Sequence, residues 1–142
     1  MPAEFIDIEA KSALNMLNKA YEKMSDTTPL MRGIAGILMH AVEENFAEQG
    51  RPAWVDLKEK TKEVRRKQNK WPGKILQVSG QLASSIQPHV SKDEAAVGTN
   101  KIYAATHQFG DPGRNIPARP FLTLGEDDLK EIENLAADYI DL

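Results

Sequence analysis

His107 is the histidine with the most chemically loaded surroundings in this 142-residue chain. It lies in Tyr103-Ala104-Ala105-Thr106-His107-Gln108-Phe109-Gly110, which continues as Asp111-Pro112-Gly113-Arg114-Asn115-Ile116-Pro117-Ala118-Arg119-Pro120-Phe121-Leu122. An imidazole acting as general base needs a hydroxyl or thiol nucleophile within hydrogen-bond reach and a third group to orient it. The chain has no cysteine. Thr106 is adjacent, and adjacent side chains rarely face one another. Val78-Ser79-Gly80 is only a fragment of a nucleophile elbow. No glycine-rich phosphate cradle with lysine and no dinucleotide fingerprint occurs. His40, His89 and His107 are scattered and lack clustered carboxylates, so no metal pattern emerges and no cofactor is implied. The chemistry of this window is therefore expected to be structural: His107 and Gln108 hydrogen-bond backbone groups of an irregular loop, whose polar groups need partners once buried. A small hydrolase using His107 is the rival from another class.

Three prolines and two glycines exclude a long regular element between Tyr103 and Leu122. The same window carries bulky apolar residues, which predicts a rigid packed loop anchored by Phe109, Ile116 and Phe121. Arg119, between Ala118 and Pro120, is held extended. Its guanidinium is placed to fork onto a carboxylate or a carbonyl and lock the loop.

The elements that must position this loop follow from periodicity. Phe5-Ile6-Asp7-Ile8 reads as a short strand or the lead-in to a helix. From Ile8 to Met24, Ala10, Ala13, Leu14, Leu17, Ala20, Tyr21 and Met24 recur at three and four, one face of an amphipathic helix. Thr28 as N-cap and Pro29 at the first helical position start a second helix. Its apolar side is Leu30, Ile34, Ile37, Leu38, Ala41, Val42 and Phe46, and Gly50 ends it. The short turn between the two helices predicts an antiparallel pair. Trp54 and Leu57 are loop anchors. Lys74-Ile75-Leu76-Gln77-Val78 is a short apolar run, and Ser79 then opens a short helix carrying Leu82 and Ile86. Gln87–Ser91 and Ala95–Thr99 flank a polar turn, which predicts a hairpin with alternating strands. A last helix runs from about Glu126 to Ile140, with Leu129, Ile132, Leu135, Ala136, Tyr139 and Ile140 on one face. The expected fold is one α+β domain over 1–142: an N-terminal helical pair, a small antiparallel sheet, and a C-terminal helix packed on the sheet.

Composition is ordinary for a globular chain, with 41% apolar and 27% charged residues. No run is long enough for a membrane span, and the N-terminus lacks the basic start and apolar core of a signal peptide. Net charge is −3, unevenly spread. Lys58, Lys60, Lys62, Arg65, Arg66, Lys67, Lys70 and Lys74 stand against Glu59 and Glu63, giving +6. From Gly125 to Leu142, seven acids stand against Lys130, giving −6. The basic stretch has Val64 as its only aliphatic, so it reads as a solvent-facing helix or a mobile arm, stopped by Trp71-Pro72-Gly73. Such asymmetry fits a polyanion partner, self-association of unlike faces, or merely two solvated helices. No zinc-finger or helix-turn-helix pattern surrounds the basic stretch, which leaves non-specific phosphate contact as the nucleic-acid reading.

Three motifs in order carry a resemblance: Ile75-Leu76-x-x-Ser79-Gly80-x-Leu82-x-x-Ser85-Ile86; Val97-Gly98-Thr99-Asn100-x-x-Tyr103-Ala104-x-x-His107-Gln108-x-Gly110; and Ile116-Pro117-Ala118-Arg119-Pro120-Phe121-Leu122. With Trp54-x-x-Leu57 and Thr61 upstream, the chain resembles the phage virion morphogenesis family, which includes Mu-like protein G and the tail-completion protein S of P2-like phages. The resemblance covers about residues 30–140 and marks Tyr103, His107, Gln108, Gly110, Pro117, Arg119, Pro120 and Phe121 as its signature loop. It implies a non-enzymatic structural role late in virion assembly, at tail completion or head–tail joining. It also implies a plan similar to tail-terminator proteins, which work as homo-oligomeric rings, often hexameric. The implied partners are other tail or head–tail connector proteins, and the implied location is the virion, with the bacterial host cytoplasm during assembly. A capsid-assembly factor absent from the finished particle is the alternative within that class. A non-specific DNA-binding protein is the alternative outside it. The residues expected to face a neighbouring subunit or packaged DNA are Lys58, Lys62, Arg65, Arg66, Lys67, Lys70 and Lys74.

Overall fold

A computed structural model describes residues 11–77 and 79–140. The expected strand or lead-in at Phe5–Ile8, the helix start at Ile8 and Ala10, Val78, and Asp141 and Leu142 lie outside the described residues. The elements are α1 Lys11–Lys23, α2 Thr28–Ala47, α3 Glu59–Lys67, α4 Gln81–Ser84, β1 Gln87–Val90, β2 Ala95–Gly98, α5 Ala104–Phe109, a 3-10 turn Pro112–Arg114, and α6 Glu126–Ile140. The α+β reading holds, with β1 and β2 forming a two-stranded antiparallel sheet in the register Gln87↔Gly98 to Val90↔Ala95.

α2 is the hub. Leu30, Ile34, Ala35, Leu38, Ala41, Val42, Asn45 and Phe46 are all buried on it, a wider arc than a single stripe. It can therefore serve two partners: α6 packs against it, and so does the hairpin. This differs from the expected arrangement, in which α6 covered the sheet. α6 packs instead on α1 and α2, and α1 takes α6 rather than α2 as its main partner. Gly33 makes the α2–α6 approach close, since a Cβ there would meet Leu135 Cδ2 at 2.6 Å. The burial of Ile132 and Ala136, with Leu135, Tyr139 and Ile140 beside them, matches the predicted face of α6.

α1 turns Ala13, Met16, Leu17, Ala20 and Met24 inward. Leu14 and Tyr21, placed on that face from the sequence, are 40% and 55% exposed. They are seven residues apart and share the flank that no other described element covers. α2 begins one residue earlier than expected. Thr27 is its N-cap, and its buried hydroxyl donates to the Lys92 carbonyl in the hairpin turn, while Asp26 Oδ1 accepts from Thr28 N at 3.0 Å and Thr28 Oγ1 at 2.7 Å. β2 does not alternate: Ala96, Val97 and Gly98 are all buried, because alanine and glycine present little side chain on either face.

Candidate functional site

The Tyr103–Leu122 window is half helical turns and half extended chain. α5 covers Ala104–Phe109, and Gly110 reverses the direction at φ +77, where a Cβ would lie 2.7 Å from Ala118 N. Asp111 N and Ile116 N exchange hydrogen bonds with the opposite carbonyls at 2.8 and 2.9 Å, closing the 3-10 turn between them. Arg114 Nε donates to Asp111 Oδ2 at 2.7 Å. That hydrogen bond holds the Asp111 carboxyl below its ordinary range.

Beyond Pro117 the chain has no regular secondary structure up to α6 and no partner strand among the described residues, and its backbone groups are met by one main-chain carbonyl and several side chains. Arg119 N donates to the His107 carbonyl at 2.7 Å. Trp54 Nε1 donates to Pro120 O at 2.8 Å. Gln108 Oε1 accepts from both Phe121 N and Leu122 N at 3.0 Å. Asn45 Nδ2 donates to Phe121 O at 2.8 Å and Thr123 O at 3.0 Å. The Phe121 ring, fully buried, lies 5.3 Å from that of Phe46, which meets Trp54 edge-on at 6.0 Å. The expected backbone-binding role of Gln108 and the anchoring role of Phe121 are thus met. Phe109 is not an anchor: it is 65% exposed. Ala104 and Gln108 take the inward side of α5, and Phe109 lies about 140° round the helix from Ala104 at 100° per residue.

Asn45 belongs to a network that sequence reasoning missed. Its Oδ1 accepts from Arg51 Nε at 2.7 Å, while Arg51 Nη2 donates to Asp128 Oδ2 at 2.8 Å and to Ala41 O at 3.0 Å. Asp128 Oδ2 also accepts from Gly125 N at 2.8 Å, capping α6. The signal was present in part: Leu38, Ala41, Val42, Asn45 and Phe46 form an i, i+3, i+4, i+7, i+8 stripe with one polar member, and a buried amide in such a stripe needs partners.

The signature residues meet the basic stretch at a pocket of about 340 Å³. Arg65, Arg119, His107, Tyr103, Ser79 and Gln81 line it together with Leu57, Ile75, Leu76 and Leu82. Arg119 is 7% exposed. Its Nε and Nη2 donate to Val55 O at 2.8 Å and Asp56 O at 3.1 Å, so the expected fork lands on carbonyls. Arg65 reaches the Lys74 carbonyl at 3.4 Å. His107 Nδ1 is buried without a hydrogen-bond partner, so His107 contributes its main-chain carbonyl to the loop and not its ring. Burial first, then the charges of Arg119 and Arg65, holds the imidazole below its ordinary pKa. No hydrogen bond joins His107 to Ser79, whose Oγ accepts from Gln81 N at 3.3 Å, and among the described residues no carboxylate hydrogen-bonds the ring. The Tyr103 ring meets His107 edge-on at 6.0 Å.

The other basic residues divide. α3 buries nothing, which selects the solvent-facing helix over the mobile arm. Lys62 Nζ bonds Asp56 Oδ2 at 2.7 Å and lies 5.4 Å from the centre of the Trp71 ring. The hydrogen bond from Lys62, followed by that from Leu57 N, holds the Asp56 carboxyl low. Arg66 pairs with Glu59 at 2.9 Å, and Lys74 Nζ caps α2 at the Ala47 carbonyl, 2.6 Å away. Lys58, Lys67 and Lys70 are exposed. Among the described residues no group of three or more histidines and carboxylates is arranged to hold a metal ion, and no helix is long and apolar enough to cross a membrane.

Residues 8–141 match the model of the phage virion morphogenesis family. The chain belongs to that family. The match includes α1, which the sequence motifs alone did not reach. The chain is 40% identical to the Mu-like prophage FluMu G protein 2 of Haemophilus influenzae, over 96% of this chain and 97% of that protein. It is 33% identical to FluMu G protein 1 of the same organism and 28% identical to the putative capsid assembly protein G of Escherichia phage Mu, in each case over 89% of this chain and 90% of the relative. No solved structure matches the chain. Membership of this family places the chain among phage and prophage virion assembly proteins.

Proposed function

We propose that this chain is a non-catalytic structural subunit of tail completion or head–tail joining, acting as a homo-oligomeric ring in the virion and assembled in the bacterial host cytoplasm. The observation that carries this reading is the separation of charge on the folded subunit. α3 buries no residue fully, Lys67 on it and Lys58 and Lys70 beside it are exposed, α6 turns Glu126, Asp127, Glu131 and Asp138 outward, and no salt bridge joins the two helices among the described residues. Unlike surfaces on one subunit are what a head-to-tail contact needs, and such contacts close into rings by rotation. A hexamer is the expected stoichiometry from the likeness to tail terminators, with connector proteins above and below and packaged DNA in the lumen as a non-specific contact. The neutral, carboxylate-free setting of His107 supports a structural rather than a hydrolytic role.

Electron microscopy of particles made without the protein tests this reading. Filled heads and separate, unjoined tails are expected. A second reading, a capsid-assembly factor, is favoured by the name of the phage Mu relative, and absent or aberrant heads in the same experiment would replace the first reading with it.

A further inference from the structure

The pocket beneath the signature loop holds more positive charge than its surroundings neutralise. Arg119 is nine-tenths buried, and its bonds are to two main-chain carbonyls. Arg65 is half-buried and reaches one carbonyl at 3.4 Å. The two guanidinium groups are close enough that each disfavours ionisation of the neighbouring imidazole; burial first, then Arg65, opposes the charge of Arg119, and the Asp56 carboxylate offsets part of that. Asp56, whose carboxylate acts on Arg119, is exposed and turned to Lys62 and Leu57 N, and among the described residues no carboxylate lines the cavity. A buried cation offset only in part by an exposed carboxylate is costly, and adding an ionised partner in bidentate reach relieves that cost.

We infer that this pocket receives an acidic side chain from the α6 face of a second copy of the chain. The walls decide between a carboxylate and a phosphate backbone. Leu57, Ile75, Leu76 and Leu82 give the cavity aliphatic walls, which accommodate the methylene stem of a glutamate or aspartate better than a sugar–phosphate chain. Charge complementarity names the source, because α6 carries Glu126, Asp127, Glu131 and Asp138 exposed. The inference rests on the ring proposed above and deepens it: it identifies where on the basic surface the neighbour's acid is held. The outward lysines of α3 steer the approach, and Arg65, Arg119 and the imidazole of His107 form the seat.

Sedimentation of the purified full chain tests it. Arg65→Glu is expected to weaken self-association at least about tenfold, as loss of a desolvated charge contact does, and one of four lysine replacements, at Glu126, Asp127, Glu131 or Asp138, is expected to restore it in the Arg65→Glu background. Gln81→Glu places a carboxylate inside the pocket of the same subunit. It is expected to raise the melting temperature while weakening association, a pairing that misfolding cannot produce. Association unchanged by both variants, rescue by none of the four lysines, a lowered melting temperature in Gln81→Glu, or a wild-type chain that stays monomeric would each overturn the inference. Rings that persist in both variants refute the seat and leave the assembly role standing. Joined, infectious particles made without the protein refute the assembly role itself.

Discussion

Arg51 and Arg119 are both drawn into the protein, and they are treated in opposite ways. Arg51 meets the carboxylate of Asp128 and the amide of Asn45, and its other bond is to the end of a turn of α2. Every charge in that corner has its opposite. Arg119 meets carbonyl oxygens alone, with a second arginine and a neutral imidazole across the cavity. The first corner is complete in the isolated chain and fastens α2 to α6. The second holds the loop in place but is left electrostatically open. The difference separates an arginine whose charge is met within the fold from one whose charge is met only in part, although Arg51 is half-buried and Arg119 buried.

Four substitutions sharpen or break this comparison. Asp128→Ala strands the Arg51 guanidinium and uncaps α6, and is expected to cost about 3–5 kcal/mol of unfolding free energy by denaturant titration, toward the lower end because Arg51 keeps 26% exposure. Phe121→Ala removes the ring against Phe46 and is expected to cost a similar 3–5 kcal/mol or so. Arg119→Met keeps the aliphatic stem and deletes an uncompensated charge along with two hydrogen bonds. Its expected cost is about 1–2 kcal/mol; a loss as large as that of Asp128→Ala would show the two corners to be alike. Phe109→Ser, at the other end of the same window, is expected to stay within about 0.5 kcal/mol of wild type, since its side chain is in solvent.

The smallest effect is a pH dependence. The imidazole of His107 has a folded pKa below its unfolded value of 6.5, so the unfolded chain binds the proton first as pH falls. Stability from this residue is fully present above the unfolded pKa and is lost as pH drops through it, levelling off below the folded pKa. Between about pH 7 and pH 5 the melting temperature of wild type should therefore fall more than that of His107→Gln. Equal slopes for the two proteins would place the ring in an ordinary aqueous setting.

Local pattern made much of the fold legible. The stripes of α2 and α6, the polar hairpin turn and the burial of Phe121 all follow from spacing within one element, whereas α4 is opened not by Ser79 but by Gly80, left-handed at φ 74 with no side-chain cap hydrogen bond. What escaped depends on partners far along the chain. Arg51 and Asp128 are separated by 77 residues, and nothing near either one names the other. The neighbour of α1 was misplaced because chain order favours α2, whereas the wide apolar arc of α2 was already serving α6 and the hairpin. Phe109 was misread because residue type was weighed without helix phase. The pocket was half legible: the signature motif contains His107 and Arg119, but the arrival of Arg65 from α3 required the fold.

The irregular run from Arg119 to Gly125 has a consequence for contact with other chains. A bare extended segment is a template for strand addition by a neighbour. Here Trp54, Gln108, Asn45 and Asp128 occupy its main-chain donors and acceptors with side-chain groups. The outer strand of the hairpin is only four residues long and carries Pro88, which cannot donate to a further strand. A neighbouring chain is thereby denied a generic sticky edge along these segments.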